Sequence, residues 1–272
     1  MASAEASRAG GRTAGKWDPA QYRKFGGERA RPFYDLIGQI GAEDPRLVVD
    51  VGCGPGELTA SLTRRWPEAD VLGIDSSAEM IREAELVLVA EPGSRLRFER
   101  LDAHDWVPAR PVDVIVSNAL LQWLPDREAL MVRWAGQLAA GGWFAAQVPA
   151  NHNQPSYRLL RELMESSRWR SRLEEVRLAF QAADPARYVD LLAGTVSLVD
   201  AWETTYLHVL PGEDPVLNWL KGTGLRPVLA ALDEPERAEF EAEYGALLRD
   251  AYPRREYGTV LPFRRVFFVA RK

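Results

Sequence analysis

At 272 residues, 46% hydrophobic and 27% charged, the chain is long enough to bury a core without staples, and no apolar run reaches the length of a membrane span. A formal net charge of −5 argues against broad nucleic-acid binding and requires that any anionic ligand be met by a local cluster of Arg or Lys. The single cysteine, Cys53, excludes an internal disulfide, and the cysteine and three histidines form no metal-ligand pattern.

Residues 1–16, rich in Ala, Gly, Ser and Arg, read as a disordered leader, with a mitochondrial-type targeting segment as the alternative. Phe33, Leu36, Ile37 and Ile40 recur at helical spacing and predict a helix from Arg29 to Ile40. Leu47–Val51 is a short apolar run with one acid, the pattern of a strand buried on both faces. A glycine-rich turn leads into a helix over 57–66, closed by Pro67. Val71–Asp75 repeats the strand pattern, and Ser76, Ser77 and Glu79 mark the start of a helix from Ala78 to Val89. Further strands are expected at Arg95–Leu101, before Asp102, and at Val112–Ser117, before Asn118. A helix over Asp126–Ala139, stopped by Gly141 and Gly142, precedes a fifth strand at Trp143–Val148. Helices are then expected over Ser156–Gln181, Pro185–Leu192 and residues 214–250, with strands at Val196–Leu210 and Arg265–Ala270.

Repeated strand–helix alternation predicts a Rossmann-like doubly wound α/β sheet of about seven strands with helical cap insertions. The expected organisation is the leader; an α/β core with an N-terminal lid over 17–150, the lid carrying Trp17, Tyr22 and Phe25; and a helical cap with the last strands over 151–272, on the substrate side. Right-handed crossovers bring the strand C-termini to one edge, where ligands bind.

The most informative stretch is Asp50-Val51-Gly52-Cys53-Gly54-Pro55-Gly56. Its glycines are spaced two apart, unlike the dinucleotide fingerprint. A carboxylate at Asp50 would repel a pyrophosphate but suits an ammonium group. Asp75, at the end of the next strand, suits a ribose diol. The alternative for these acids is helix capping. With its acids at successive strand ends, the pattern resembles the S-adenosylmethionine-dependent methyltransferase family. That resemblance implies S-adenosylmethionine as cofactor, with Gly52, Cys53, Gly54 and Gly56 around its methionine and ribose and Asp50 toward its ammonium. It further sets Asp75 on ribose, with Ser76 and Met80 in the same motif, Asp102 and Ala103 at the adenine, and Asn118 at the amino-acid end.

Other stretches narrow the resemblance. Trp17-Asp18-Pro19, Asn118-Ala119-x-Leu121-Gln122-Trp123-Leu124-Pro125-Asp126, Thr204-Thr205-Tyr206-x-His208, Thr223-Gly224-Leu225-Arg226-Pro227 and Pro262-Phe263-x-Arg265 together are similar to the trans-aconitate 2-methyltransferase family over residues 17–272. The implied reaction is esterification of a carboxylate of a small anionic substrate, which is already ionised and needs no general base. Arginine forks are the expected carboxylate ligands. Arg226 is the first candidate, then Arg264 or Arg265. Tyr206 and His208 share a strand face, and Trp123 lies where an aromatic would favour a sulfonium. Core packing is the alternative for Tyr206, His208 and Trp123. No nucleic acid, membrane or obligate protein partner is expected, and the expected location is the cytoplasm. A methyltransferase acting on another small or acyl-carrier-bound acid, and a non-catalytic cofactor-binding module, remain the competing readings.

Overall fold

The computed structural model of the chain describes residues 26–90, 95–179, 182 and 184–272. The expected leader over 1–16 and the lid aromatics Trp17, Tyr22 and Phe25 lie outside the described residues.

Helix α1 spans Gly26–Ile37 and is followed by β1 (Leu47–Val51), α2 (Glu57–Arg65), β2 (Asp70–Asp75), α3 (Ala78–Ala90), β3 (Leu96–Arg100) and β4 (Val112–Asn118). A 3-10 turn at Leu121–Trp123 leads to α4 (Arg127–Gly136) and β5 (Leu138–Pro149). Next come α5 (Pro155–Met164), α6 (Arg170–Leu173), α7 (Pro185–Leu192) and β6 (Leu198–Leu210). The remaining elements are α8 (Pro215–Lys221), α9 (Arg226–Ala231), α10 (Glu234–Ala251) and β7 (Thr259–Arg271).

The seven strands form one sheet in the order β3-β2-β1-β4-β5-β7-β6. β1 pairs in parallel with β2 and β4, β2 with β3, and β4 with β5. The order reverses beside β1, the place where a doubly wound sheet opens a ligand crevice. β7 runs antiparallel to β5, with Gln147 opposite Phe267 and Pro149 opposite Arg265. Arg265 therefore lies at the edge formed by the C-terminal ends of the parallel strands.

Two of the expectations that change concern helix ends before residue 182. Gly141 and Gly142 do not end a helix: α4 stops at Gly136, and both glycines sit inside β5 at a register break against β4. A Cβ on Gly142 would stand 2.9 Å from the carbonyl oxygens of Ala139 and Val112, so the bulge admits only glycine. The helix expected over Ser156–Gln181 is two pieces, α5 and α6, separated at Ser166–Trp169.

Among the described residues the contacts divide the chain into two compact units. The larger comprises Gly27–Ala150, the described part of 180–206, and Phe263–Lys272; the smaller comprises Asn151–Ala179 and Leu207–Pro262. In the larger unit one apolar cluster gathers Trp134, Phe144, Phe268 and Tyr188, and another gathers Phe33, Leu36, Val116, Tyr206 and Phe267. Fully buried aromatics of this kind dominate core energetics, and Phe144 meets Phe268 edge-on at 5.0 Å. In the smaller unit α10 opens on an Asp233–Glu236 capping box, and Trp169 packs on Phe240 at 5.2 Å.

Candidate active site at the strand ends

The loop after β1 is built by steric need. Gly52, Gly54 and Gly56 all have positive φ, at 82°, 56° and 83°. A Cβ on Gly56 would stand 2.6 Å from the Phe98 ring and 2.8 Å from Ala84 Cβ, so this glycine lets α2 start against α3 and β3. A Cβ on Gly54 would meet nothing within 4 Å; that position faces open space. The loop is tied to β2, with Gly52 N and Cys53 N donating to Ile74 O at 2.8 and 3.0 Å. Cys53 is buried, and burial pushes its thiol up, so it acts as a small packing residue.

The acids take up their places around this loop. Asp50 is buried; its Oδ2 accepts from Thr59 Oγ1 at 2.6 Å, and its Oδ1 has no hydrogen-bond partner among the described residues. Burial, with the Asp75 charge adding to it and Thr59 opposing, pushes Asp50 up to about 7. Asp75 accepts Ser77 N through Oδ1 at 2.9 Å and Gly54 N through Oδ2 at 3.1 Å. Burial still holds its pKa above the ordinary value, against both N–H groups. Ser77, rather than the exposed Ser76, caps α3, its Oγ accepting from Met80 N at 3.3 Å, while Met80 itself is buried.

At the far side of the same cleft Asp102 is joined to a residue the sequence did not single out. His104 Nδ1 lies 2.6 Å from Asp102 Oδ1, and His104 Nε2 lies 2.9 Å from Asp126 Oδ1. Ionised carboxylates only accept, so a ring placed between two of them carries a proton on each nitrogen. Burial lowers His104, but the hydrogen bonds and charges of Asp102 and Asp126 outweigh it and leave its pKa raised. Partial burial likewise raises Asp102, and the His104 N–H, ring and charge outweigh it and bring the carboxyl below its usual value. The Asp102–His104 turn is an Asx turn legible in the sequence; Asp126, brought in by the connection after β4, is not.

Gly52, Asp75, Ser76, Asp102 and Ala103, with Ile74, Leu101, Leu120 and Leu124, line one cleft. Its shape is polar at the strand ends and apolar between them, the usual make-up of a small-molecule site. Asn118, at the end of β4, adds a second buried acceptor, an Oδ1 without a partner among the described residues. The next residue, Ala119, holds φ 58°, and Gln122 Nε2 donates to its carbonyl at 2.6 Å. A strained non-glycine turn held in place this way is a common feature of ligand sites.

The residues expected to meet substrate are distributed differently. Tyr206 lies in the core of the larger unit, its hydroxyl donating to Asp35 Oδ2 at 2.7 Å and its ring under the Arg31 guanidinium at 5.2 Å. Trp123 is exposed in the 3-10 turn. Arg264 is bound to Glu203 through Nε at 2.9 Å and through Nη2. It is Arg265 that β7 turns inward: it is 5% exposed, with Nη1 donating to the buried Gln147 Oε1 at 3.0 Å. Arg226 and His208 belong to the smaller unit. Arg226 opens α9, and burial pushes its guanidinium below its ordinary value. His208 is buried and stacks on Trp219 at 4.8 Å. Gly224, in the same motif as Arg226, leaves the space that the Tyr157 ring fills. Among the described residues no group of acids, histidines and cysteine is arranged to hold a metal ion, and no helix is long and apolar enough to cross a membrane.

Comparison with known proteins agrees with this geometry. The methyltransferase domain family matches residues 48–142, from β1 into β5. Solved structures share the fold at low identity. Phosphoethanolamine N-methyltransferase 2 of Haemonchus contortus, solved with S-adenosyl-L-methionine, gives a TM-score of 0.58 at 14% identity, over 93% of this chain and 56% of that one. The YcgJ protein of Bacillus subtilis gives 0.58 at 13%, over 89% and 98%. Closer in sequence, trans-aconitate 2-methyltransferase of Streptomyces avermitilis is 49% identical, over 94% of this chain and 97% of that relative. The enzyme of the same name from Mycolicibacterium gilvum is 48% identical, over 94% and 98%. With nearly half of all positions shared along almost the full length of both relatives, the chain belongs to the trans-aconitate 2-methyltransferase family.

Proposed function

We propose that the protein transfers a methyl group from S-adenosylmethionine to a carboxylate of trans-aconitate, giving the monomethyl ester and S-adenosylhomocysteine. The observation that carries this reading is the 49% identity to an enzyme of that name over 94% of the chain. The site supports it. S-adenosylmethionine, when bound, supplies a methyl group on a positively charged sulfur. Asp50 Oδ1 and Asn118 Oδ1 are buried acceptors still to be satisfied, which suits the ammonium end of an amino acid. Each Asp75 oxygen has taken one backbone N–H and keeps a lone pair for a ribose hydroxyl. Asp102 stands ready at the adenine side.

The acceptor carboxylate, with an ordinary pKa of about 4, arrives ionised. Its oxygen takes the methyl as the carbon–sulfur bond breaks, and no proton moves. The chain has only to hold the two groups in line, shield them from water and seat the other carboxylates. Purified protein given S-adenosylmethionine with a labelled methyl should label trans-aconitate in base-labile form, ahead of cis-aconitate, citrate and a monocarboxylic control. Equal labelling of the monocarboxylic control, or none of trans-aconitate, would overturn the substrate assignment.

A further inference from the structure

Gln147 is an amide in an otherwise apolar part of β5, and it is fully buried. Its orientation is fixed by chemistry. Arg265 has only donors to offer, and its Nη1 meets the amide at 3.0 Å, so the atom facing it is the oxygen. The other end of the amide is therefore an NH2 group, and Gln147 Nε2 is buried with no partner among the described residues. A buried donor of this kind costs stability unless something accepts from it. Parallel pairing sets Asn118 beside Gln147, and Ala119 N donates to Gln147 O at 3.0 Å. Leu120, one residue further, is the neighbour that a Cβ on Gly52 would strike at 2.9 Å. The amide thus lies two strands over from the loop that begins the cofactor cleft, with β4 and Asn118 between them.

We propose that Gln147 Nε2 and the Arg265 guanidinium form a carboxylate subsite that seats an acid group of the substrate. This rests on the reading of the chain as a carboxylate methyltransferase and names the residues that recognise its acid. The pair presents donors only, one of them on a permanent cation, and a planar carboxylate with two acceptor oxygens matches that face. Gln147 also orients the guanidinium through its own oxygen, so each residue sets the other.

The test is the substitution Gln147→Glu. It keeps the shape and the oxygen that Arg265 donates to, while turning the unsatisfied donor into an acceptor and cancelling the arginine charge. Binding of trans-aconitate is measured by calorimetry on protein saturated with S-adenosylhomocysteine, next to KM and kcat. The subsite predicts a Kd and KM for trans-aconitate raised more than about tenfold, the scale of a lost hydrogen bond to a charged group, while S-adenosylhomocysteine binds as in the unaltered protein. Gln147→Met, which removes the donor without adding charge, should show a smaller loss of the same kind, and Arg265→Lys an intermediate one. Unchanged trans-aconitate affinity in Gln147→Glu overturns the subsite. If the unaltered protein ignores trans-aconitate but binds another carboxylic acid from a panel, the substrate reading fails and the same variants decide the subsite with that acid. If it binds no carboxylate at millimolar concentration, the subsite falls as well.

Discussion

Single ionisable residues give this cleft two opposite responses to pH. Asp50 is held up to about 7 by burial, so near neutrality the ligand-free chain is split between its two forms. A proton favoured by the folded state means that Asp50 costs stability as pH rises from the ordinary carboxylate range toward 7. A ligand bearing an ammonium group binds the ionised form. S-adenosylhomocysteine affinity should therefore tighten about tenfold between pH 6 and 8, as the competent fraction rises, and Asp50→Asn should flatten that slope. His104 works the other way. Its raised pKa reflects a bridge that exists only while both ring nitrogens are protonated. The stability it adds is full below its unfolded pKa and is lost as pH climbs through the folded one. 5′-Methylthioadenosine has no amino-acid end and does not report on Asp50. Its affinity should weaken about two- to fivefold as His104 loses its proton, and His104→Ala should abolish that dependence; a parallel slope in the variant would refute the bridge.

At the scale of elements, the loop between β1 and α2 separates packing from binding. Gly56 combines φ 83° with neighbours that leave no room for a side chain. Gly56→Ala should cost about 2–4 kcal/mol in urea unfolding, from left-handed backbone strain plus overpacking. Gly54 has φ 56° but open space around it. Gly54→Ala should cost only about 1–2 kcal/mol, yet reduce S-adenosylhomocysteine affinity, because the new methyl intrudes where a ligand would lie against the backbone. Much of this was legible in sequence. Apolar runs ending in Asp50, Asp75 and Asn118 gave the strands and their ligand edge, since buried parallel strands leave a continuous apolar signature. β7 was harder to read. Its expected start at Arg265 missed the first six residues, and Arg264 and Arg265 stood as alternatives, whereas the strand buries Arg265 and pairs Arg264 with Glu203. Alternation tells which residues share a face but not which face is inside, and the long-range partners that decide it, Gln147 and Glu203, carry no local signal. Tyr206 shows the same limit: the face it shares with His208 was right, but Asp35, 171 positions away, claims its hydroxyl.

For the molecule as a whole, the cofactor candidates all lie in the larger compact unit, whereas Arg226 and His208 lie in the smaller. S-adenosylhomocysteine at about 100 times its Kd should add about 2.7 kcal/mol to the unit that binds it. In scanning calorimetry the endotherm of the larger unit should move up by several degrees, and Asp75→Ala should erase most of the shift. An unmoved melt at saturating ligand would show that the cleft is not where the ligand sits.

The position of β7 carries a consequence of timing. It is the last strand in sequence but sits between β5 and β6 in space. A chain still on the ribosome, complete through β6, has an apolar β5 with one open edge and a β6 with no neighbour to pair with. Every hydrogen bond from Trp143 through Pro149 to its antiparallel partner, and the arginine that meets Gln147, must wait until β7 has been made. Until then the open edge of β5 is a template for wrong pairing, and chaperone demand should peak between the emergence of β6 and that of β7.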